Sequence, residues 1–416
     1  MTAPNQAPNA PLDRADVRVR HDDSLAGSIK VFFDRLKAGD LGSLPVVIGL
    51  ALIWTVFTSL NPVFLASNNL VNMLFDASTT GIISLGIVCI LMVGEIDLSV
   101  GSVSGFASAL VGMLWVNEGW PVSLAIALAL VVGAVAGYVY SFLLITIGMP
   151  SFISTLAGLL ALLGLQLYLL GATGSINLPY GSDLVNFGQL DVVPHTLSYV
   201  LALLPGGIGF LIGLSQRKAR LDAGLSARSV TGLVAGYGLL TGGLAFVVFY
   251  LNQDRGVPWM FLLFVVLVIG MDYAFTRTSW GRAMAAVGGN REAARRAGIG
   301  VNAVYASAFM LCAAFAALGG VMAAARLASA SQQAGTGDVN LNAIAAAVIG
   351  GTSLFGGRGS AYSALLGIIV IQSIASGLTL LDLSSALRYM ITGAVLAIAV
   401  IVDSLARRSR VSHGRA

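Results

Sequence analysis

The chain has 416 residues, of which 57% are hydrophobic and only 10% are charged, and its formal net charge is +4. Soluble domains carry charge on about a quarter of their residues, so this composition excludes an ordinary soluble protein. Many apolar runs reach the roughly 20 residues that a helix needs to cross a bilayer. Alternating strand patterns are absent, so helices must satisfy the backbone in lipid. We therefore expect an all-α integral membrane protein.

The first 43 residues mix acidic and basic side chains and contain no continuous apolar core of the signal-peptide type. We interpret 1–43 as a cytoplasmic N-terminal tail. Within it, 24–39 has the pattern of a short helix lying on the membrane surface, and a disordered tail fits the same residues. At the other end of the chain, 406–416 is interpreted as a cytoplasmic C-terminal tail.

The region between the tails, 44–405, is interpreted as one transmembrane domain, a polytopic helical bundle of about 10–12 transmembrane helices. Its apolar runs are 44–60, 72–93, 98–116, 121–146, 151–172, 195–215, 229–251, 257–275, 301–325, 342–356, 360–380 and 386–404. The run 342–356 is short and flanked by glycine. It is therefore open to a second interpretation, as a half-helix buried in protein.

Lys and Arg indicate the orientation, because cytoplasmic loops of membrane proteins carry an excess of these residues. With the N-terminus inside and every run crossing, 20 of the 23 Lys and Arg residues fall in cytoplasmic segments. The sequence therefore predicts that both termini are cytoplasmic. Five of these arginines then lie in one cytoplasmic loop, 276–300.

The pattern GGNREAARRAGIGV in this loop predicts a short helix. Asn290 can cap its first turn, where the helix dipole favours the acidic Glu292. Ala293 and Ala294 continue the helix, and Gly298 can end it. The residues fit two interpretations, a compact knob that docks into a groove on another protein and a plain solvated loop.

Polar residues interrupt the apolar pattern in VGEIDLSVGSVSG, at 93–105. Asp97 and Ser99 can cap a helix that begins near Leu98. Together with Glu95 they form either a helix break that lines a path or gate, or a short capped turn at the cytoplasmic surface.

Glycine is frequent and has two patterns. The stretch AVIGGTSLFGGRGSAYS, at 347–363, fits a tight turn between short helices, formed either by close packing or as an anion nest. Gly133 with Gly137, and Gly232 with Gly236, have a small-xxx-small spacing that indicates helix packing within one subunit.

Motifs for catalysis are missing. None of the three lysines, Lys30, Lys37 and Lys218, follows a glycine, so the chain has no phosphate-binding loop of the Walker type. The three histidines are scattered and both cysteines lie in apolar runs, so the sequence predicts neither a catalytic set nor a metal site.

Three motifs carry a resemblance to a known family. GEIDLSVGSVSG, GGNREAARRAGIGV and LNAIAAAVIGGTSLFGGRGS occur in the order seen in permease subunits of bacterial ABC importers for ribose, xylose, galactose and similar monosaccharides. The resemblance covers roughly 45–405 and implies the ABC importer permease fold. MPSFISTLAGLLALLGLQLYLLGATGSINL and an added middle region, 172–256, resemble the xylose-type permease, which implies xylose or a related pentose as substrate.

The resemblance also implies partners and a location. It implies a homodimer in the bacterial inner membrane, a cytoplasmic ABC ATPase subunit docked on the coupling loop 276–300, and a periplasmic sugar-binding protein. The residues that then couple to the ATPase are Asn290, Glu292, Ala293, Ala294 and Gly298. ATP and Mg would be bound by that partner, so we expect no cofactor, no enzymatic activity and no nucleic-acid binding in this chain. The Ile-x-Leu-Pro ending of the usual coupling loop is absent.

The candidates for the translocation path or gate are Glu95, Asp97, Ser99 and Gln166. The alternative function is an ion-driven secondary transporter of a small polar solute, since about twelve spans suit that class too. Such carriers place ionisable groups near the midplane of the membrane, whereas Asp76 and Asp272 lie near predicted span ends.

Overall fold

The computed structural model describes residues 44–384, 386–387, 390–394, 397 and 401. Both tails, with the surface helix considered at 24–39, lie outside the described residues, and the last predicted span, 386–404, is described only in part. The described chain separates into a smaller unit, Val193–Gly256, and a larger unit that contains the residues on either side of it.

The elements are almost all helical, which confirms the predicted all-α class. In chain order they are α1 (Leu44–Leu60), α2 (Ser67–Met92), α3 (Val100–Gly112), α4 (Val122–Phe142), α5 (Ser151–Leu170), β1 (Ser175–Asn177), α6 (Asp183–Gln189), α7 (His195–Asp222), α8 (Val230–Leu251), α9 (Trp259–Arg277), α10 (Ser279–Gly289), α11 (Arg291–Arg296), α12 (Val301–Leu327), β2 (Ser329–Ser331), α13 (Val339–Ile349) and α14 (Ala361–Leu380). β1 and β2 pair in antiparallel register, with Ile176 opposite Ala330.

Nine described helices are long and apolar enough to cross a membrane. They are α2, α3 with its π-helical extension Met113–Asn117, α4 with the extension Leu143–Ile147, α5, α7, α8, α9, α12 and α14. α1, with 17 residues, falls just below that length. These helices match every predicted run except 342–356 and the partly described 386–404.

The centre of the larger unit is α12, which packs against α2, α3 and α4. Small residues allow the backbones to approach closely there. A Cβ atom on Gly137 would overlap the Phe309 carbonyl, and one on Gly133 would lie 2.9 Å from the Ala313 carbonyl oxygen. The predicted packing role of Gly133 and Gly137 is confirmed.

The smaller unit consists of α7 packed against α8. Its close contacts come from α7, where Gly206 lies against Thr241 and Gly209 lies against Tyr237. The packing role predicted for Gly232 and Gly236 is wrong. A Cβ on Gly236 would meet open space, and one on Gly232 would meet only the hydroxyl of its own helix cap, because the small residues of this contact belong to the other helix.

The predicted run 342–356 does not form a full membrane-spanning helix. Its helix, α13, has 11 residues. Such a helix rises about 16 Å, roughly half of the hydrocarbon core of about 30 Å. The structure thus agrees with the half-helix interpretation.

The other half of this crossing is non-helical chain that lies along α3. A Cβ atom on Gly112 would contact Ala330, one on Gly105 would overlap the Ala334 carbonyl, and one on Gly101 would overlap the Gly335 carbonyl. Gly101 and Gly112 are 11 positions apart on α3, a rise of about 16 Å. Residues 328–338 therefore run antiparallel to α3 for that distance before α13 begins.

α13 continues in the same direction. It is antiparallel to α14, because Ala346 lies against Gly367 and Gly350 lies against Ser363. The chain between α12 and α14 thus crosses the larger unit, half as a short strand followed by turns and half as helix. We call 328–349 the broken span. We call the end of the unit with α10 and α11 the arginine end, and the end with β1 and β2 the strand end.

Candidate functional site

The arginine end carries the short helix α11. The Asn290 side-chain oxygen accepts a hydrogen bond of 2.9 Å from the Ala293 N–H, which caps the first turn. Gly298 follows the helix with φ +80°, a conformation that favours glycine and ends the helix. The predicted cap and helix are confirmed, and Ala294 is the residue that this helix buries.

The outer face of α11 is charged and open to solvent. The Glu292 carboxylate lies 3.7 Å from Arg295 Nη1 and 3.4 Å from Arg296 Nε. All three side chains are more than half exposed, so these ion pairs add little stability. The same charges are therefore available to a partner, and the coupling role of Glu292 stays a prediction.

The end of α10 meets two other segments at a cluster of backbone contacts. The Gly357 N–H donates a hydrogen bond of 2.9 Å to the Met92 carbonyl at the end of α2. Gly288 lies against both of these groups, and a Cβ on it would overlap the Met92 oxygen. Gly356 in turn lies against Gly94. We call Met92–Gly94, Gly288–Gly289 and Gly356–Gly357 the glycine junction.

The glycine junction shows what the stretch 347–363 does in the fold. Its glycines at 350, 356 and 357 have backbone neighbours so close that a side chain would not fit. The structure therefore supports close packing for this stretch, and the anion-nest interpretation stays untested.

A second link connects α11 to the polar stretch after α2. The guanidinium of Arg291 lies 5.1 Å from the centroid of the Tyr305 ring, which is within cation–π distance. The Glu95 carboxylate lies within electrostatic reach of the same tyrosine. Tyr305 is buried near the start of α12, so it connects the two charged groups through the protein.

The stretch 93–99 passes from the surface of the arginine end into the interior. Glu95 is partly exposed, whereas Asp97 and Ser99 are 0% exposed. One Asp97 carboxylate oxygen accepts hydrogen bonds of 2.7 Å from both the N–H and the hydroxyl of Ser99. The other carboxylate oxygen has no hydrogen bond of good geometry among the described residues, although the thiol of Cys312 lies near the carboxylate.

The predicted start of the following helix near Leu98 is confirmed to within two residues, since α3 begins at Val100. The Leu98 N–H donates to the Thr155 hydroxyl at 3.2 Å, which holds this residue outside the helix. Asp97 and Ser99 interact with each other, but the Ser99 side chain does not cap the helix as predicted. Its hydroxyl donates to Asp97 and accepts no hydrogen bond from a helical N–H.

Asn340, at the start of α13, joins the two non-helical stretches. Its side-chain nitrogen donates to the Leu98 carbonyl at 2.9 Å, and its side-chain oxygen accepts from the Gly101 N–H. The amide thus caps the first turn of α3 from another part of the chain. Sequence analysis missed this residue, although the polar run GDVNLN before an apolar stretch was an available signal.

Gln166 holds the non-helical half of the broken span. It is fully buried, and its side-chain nitrogen donates to the Ser331 carbonyl at 2.9 Å and to the Ala334 carbonyl at 3.0 Å. The side-chain oxygen has no hydrogen-bond partner in the described part of the chain. Gln166 therefore has a structural role that sequence analysis did not foresee, and its path role stays a prediction.

Comparison with known proteins identifies the type of membrane protein. A family model described as "Branched-chain amino acid transport system / permease component" matches residues 69–400. The chain belongs to this permease family. No solved structure matches it.

Named relatives match this permease over most of its length. It is 34% identical to the xylose transport system permease protein XylH of Escherichia coli K12 over 380 residues, which are 90% of this chain and 95% of that protein. It is 32% identical to the protein of the same name in Haemophilus influenzae, over 89% of this chain and 98% of that protein. It is 29% identical to the ribose import permease protein RbsC of E. coli K12, over 86% and 92%. The predicted resemblance to sugar-importer permeases is confirmed.

The permease contains no evident metal-binding group in its described part. No cluster of three or more His, Cys, Asp or Glu side chains there could hold a metal ion. Cys89 and Cys312 are both buried and free.

Asn340→Ala tests the link between the two non-helical stretches. The substitution removes both hydrogen bonds of the amide and leaves buried backbone groups without this partner, which costs about 1–3 kcal/mol. We expect a lower midpoint of thermal unfolding for the purified permease in detergent. Asn117→Ala, at an exposed position, is the matched control. Equal midpoints for the two variants would show that Asn340 does not hold these segments together.

Proposed function

We propose that the permease is the membrane-spanning subunit of an ATP-driven importer for a monosaccharide, with xylose or a related pentose as its substrate. The observation that carries this proposal is the match to a xylose permease over 90% of this chain and 95% of that protein. The family model is named for branched-chain amino acids, so family membership alone does not define the solute. The xylose and ribose relatives, matched nearly end to end, favour a sugar.

The arginine end is proposed to face the cytoplasm of the bacterial cell, with both chain termini on that side of the inner membrane. The distribution of cationic residues supports this orientation. Five arginines lie in 276–300, and exposed Arg358 is at the same end. Arg326, at the strand end, is paired with Asp76 at 2.8 Å and is therefore partly neutralised.

The partner at the arginine end is proposed to be a cytoplasmic ABC ATPase, which would bind the ATP and Mg. The exposed charged face of α11 supports this assignment, as does the lack of a Walker phosphate-binding loop in the chain. In the same proposal a periplasmic sugar-binding protein delivers the solute at the strand end, and two copies of the permease form one path.

The glycine junction gives this proposal a mechanical basis. A movement of α10 acts directly on the Met92 carbonyl and on Gly357, because no side chain lies between the backbones to absorb it. Met92 ends α2, and Gly357 lies in the turn that follows α13. Docking and release of the ATPase would therefore bias the positions of both elements, as a shift between two states of the permease.

The alternative function, an ion-driven secondary transporter, needs an ionisable group that gains and loses its ion within the membrane. Asp76 is held in the ion pair with Arg326, so it is a poor candidate. Asp97 is buried without a cationic partner among the described residues, and it keeps this alternative testable.

Transport by proteoliposomes distinguishes these functions. The permease, its ATPase and its binding protein are reconstituted with ATP on the ATPase side, and uptake of labelled xylose is measured. We expect ATP-dependent uptake that vanadate abolishes and that a protonophore leaves unchanged. Ribose is expected to compete more strongly than leucine. Uptake that requires an ion gradient, or competition by leucine alone, would contradict the proposal.

Gly288→Ala tests the glycine junction. An added methyl group overlaps the Met92 oxygen, and such overpacking costs about 1–3 kcal/mol. We expect uptake to fall by about tenfold or more, since 1.4 kcal/mol corresponds to a tenfold change. ATP hydrolysis should no longer respond to the sugar-loaded binding protein.

Gly289→Ala is the matched control for this variant, because its Cβ would meet no atom within 4 Å. It should transport at the wild-type rate. Co-purification of the ATPase with both variants would show that assembly is intact. Wild-type coupling in Gly288→Ala would remove the junction from the mechanism.

A further inference from the structure

The broken span carries polar side chains that sequence analysis did not assign. Between β2 and α13, Gln332 and Gln333 are exposed, and Thr336 and Asp338 are partly exposed. The opposite side of the same segment is fixed to the protein, by Gln166 and by the close contacts with α3. The segment therefore has one anchored face and one open polar face.

The open polar face lies near the middle of the larger unit. Between Asp338 and the arginine end lies α13, which rises about 16 Å. Between Asp338 and the strand end lies the non-helical chain, which follows α3 for about 16 Å. Because the hydrocarbon core is about 30 Å thick, Asp338 falls close to its midplane.

Polar side chains and non-helical backbone at that depth cannot face lipid. Burying an unpaired polar group in an apolar medium costs several kcal/mol. Asp338 accepts one hydrogen bond, of 2.9 Å, from Asn342, and no described ion pair includes it. The open face must therefore meet either water or another polar surface.

The chemistry of this face fits a neutral, hydroxyl-rich solute. Amide groups donate and accept hydrogen bonds, a carboxylate accepts them, and a sugar hydroxyl does both. The broken span contains no Lys, Arg or His, so it offers no charged partner for the carboxylate of an amino acid.

We propose that the polar segment 332–338 of the broken span lines the solute path and that its side chains bind sugar hydroxyls. This inference rests on the proposed function for the identity of the solute. The presence of water along the segment follows from the geometry alone and can be tested without any sugar.

Cysteine labelling tests the path. Thr336→Cys is a small change, and both native cysteines are buried, so they give little background. Ala161→Cys is the depth-matched control. It is exposed on α5 between Thr155, which contacts Leu98, and Gln166, which contacts Ala334. The assembled transporter, in membrane fragments open on both sides, is treated with a water-soluble thiol reagent.

We expect the thiol at 336 to react at least about tenfold faster than the thiol at 161, because the reactive thiolate forms in water and not in lipid. Xylose should slow the reaction at 336. Equally slow reaction at both sites would overturn the proposal and indicate that a second copy of the chain covers the segment. Fast reaction that no sugar slows would overturn sugar binding here.

The experiment can contradict the proposed sugar specificity separately from the proposed solute path. Protection of the thiol at 336 by leucine, without protection by sugars, would support the path and contradict the sugar importer.

Asp338→Asn adds a functional readout. We expect the concentration of sugar for half-maximal uptake to rise about tenfold with assembly intact, since a charge-assisted hydrogen bond becomes a weaker, neutral one. Asp183→Asn, at an exposed position of α6, is the control and should leave this concentration unchanged. Equal values for the two variants would overturn the role of Asp338.

Discussion

The fold depends on one constraint, which is that backbone polar groups inside a bilayer must find partners within the protein. A helix meets it internally, but residues 328–338 cross half of the larger unit without forming one. The structure meets the constraint partly by turns, in which the N–H groups of Ala334 and Thr336 donate to carbonyls within the segment, and partly by Gln166, which bonds to two of its carbonyls. Asn340, just after the segment, bonds across to the start of α3. The glycines of α3 allow the close approach that these bonds require.

This arrangement makes two helices begin inside the unit. α3 starts at Val100 and runs to the strand end, and α13 starts at Val339 and runs to the arginine end. The amide of Asn340 connects their first turns. The segments that precede and follow them meet again at the glycine junction, next to α10. A partner that moves α10 and α11 would therefore act, through the backbone contacts of α10, on the segment before α3 and on the segment after α13.

Most of the helices could be predicted from the sequence, because the patterns that indicate a helix lie within the helix itself or next to its ends. Long apolar runs marked the spans, and Asn290, Glu292 and Gly298 marked the start, the first turn and the end of α11. The non-helical half of the broken span has no such signal, since its partner Gln166 is 165 residues away from Ser331. The spacing of Gly232 and Gly236 also gave a wrong packing prediction. A small-xxx-small pattern shows where small residues lie on a helix, but it does not show what lies opposite them.

The measurement that tests this account most directly is the sidedness of the two ends of the broken span. Leu327 and Phe355 are both exposed, at the strand end and near the arginine end, so cysteines at these positions can be labelled. With a membrane-impermeant thiol reagent on intact cells, the account predicts labelling of Leu327→Cys alone, and labelling of Phe355→Cys only after permeabilisation. Labelling of both, or of neither, in intact cells would show that the segment does not cross.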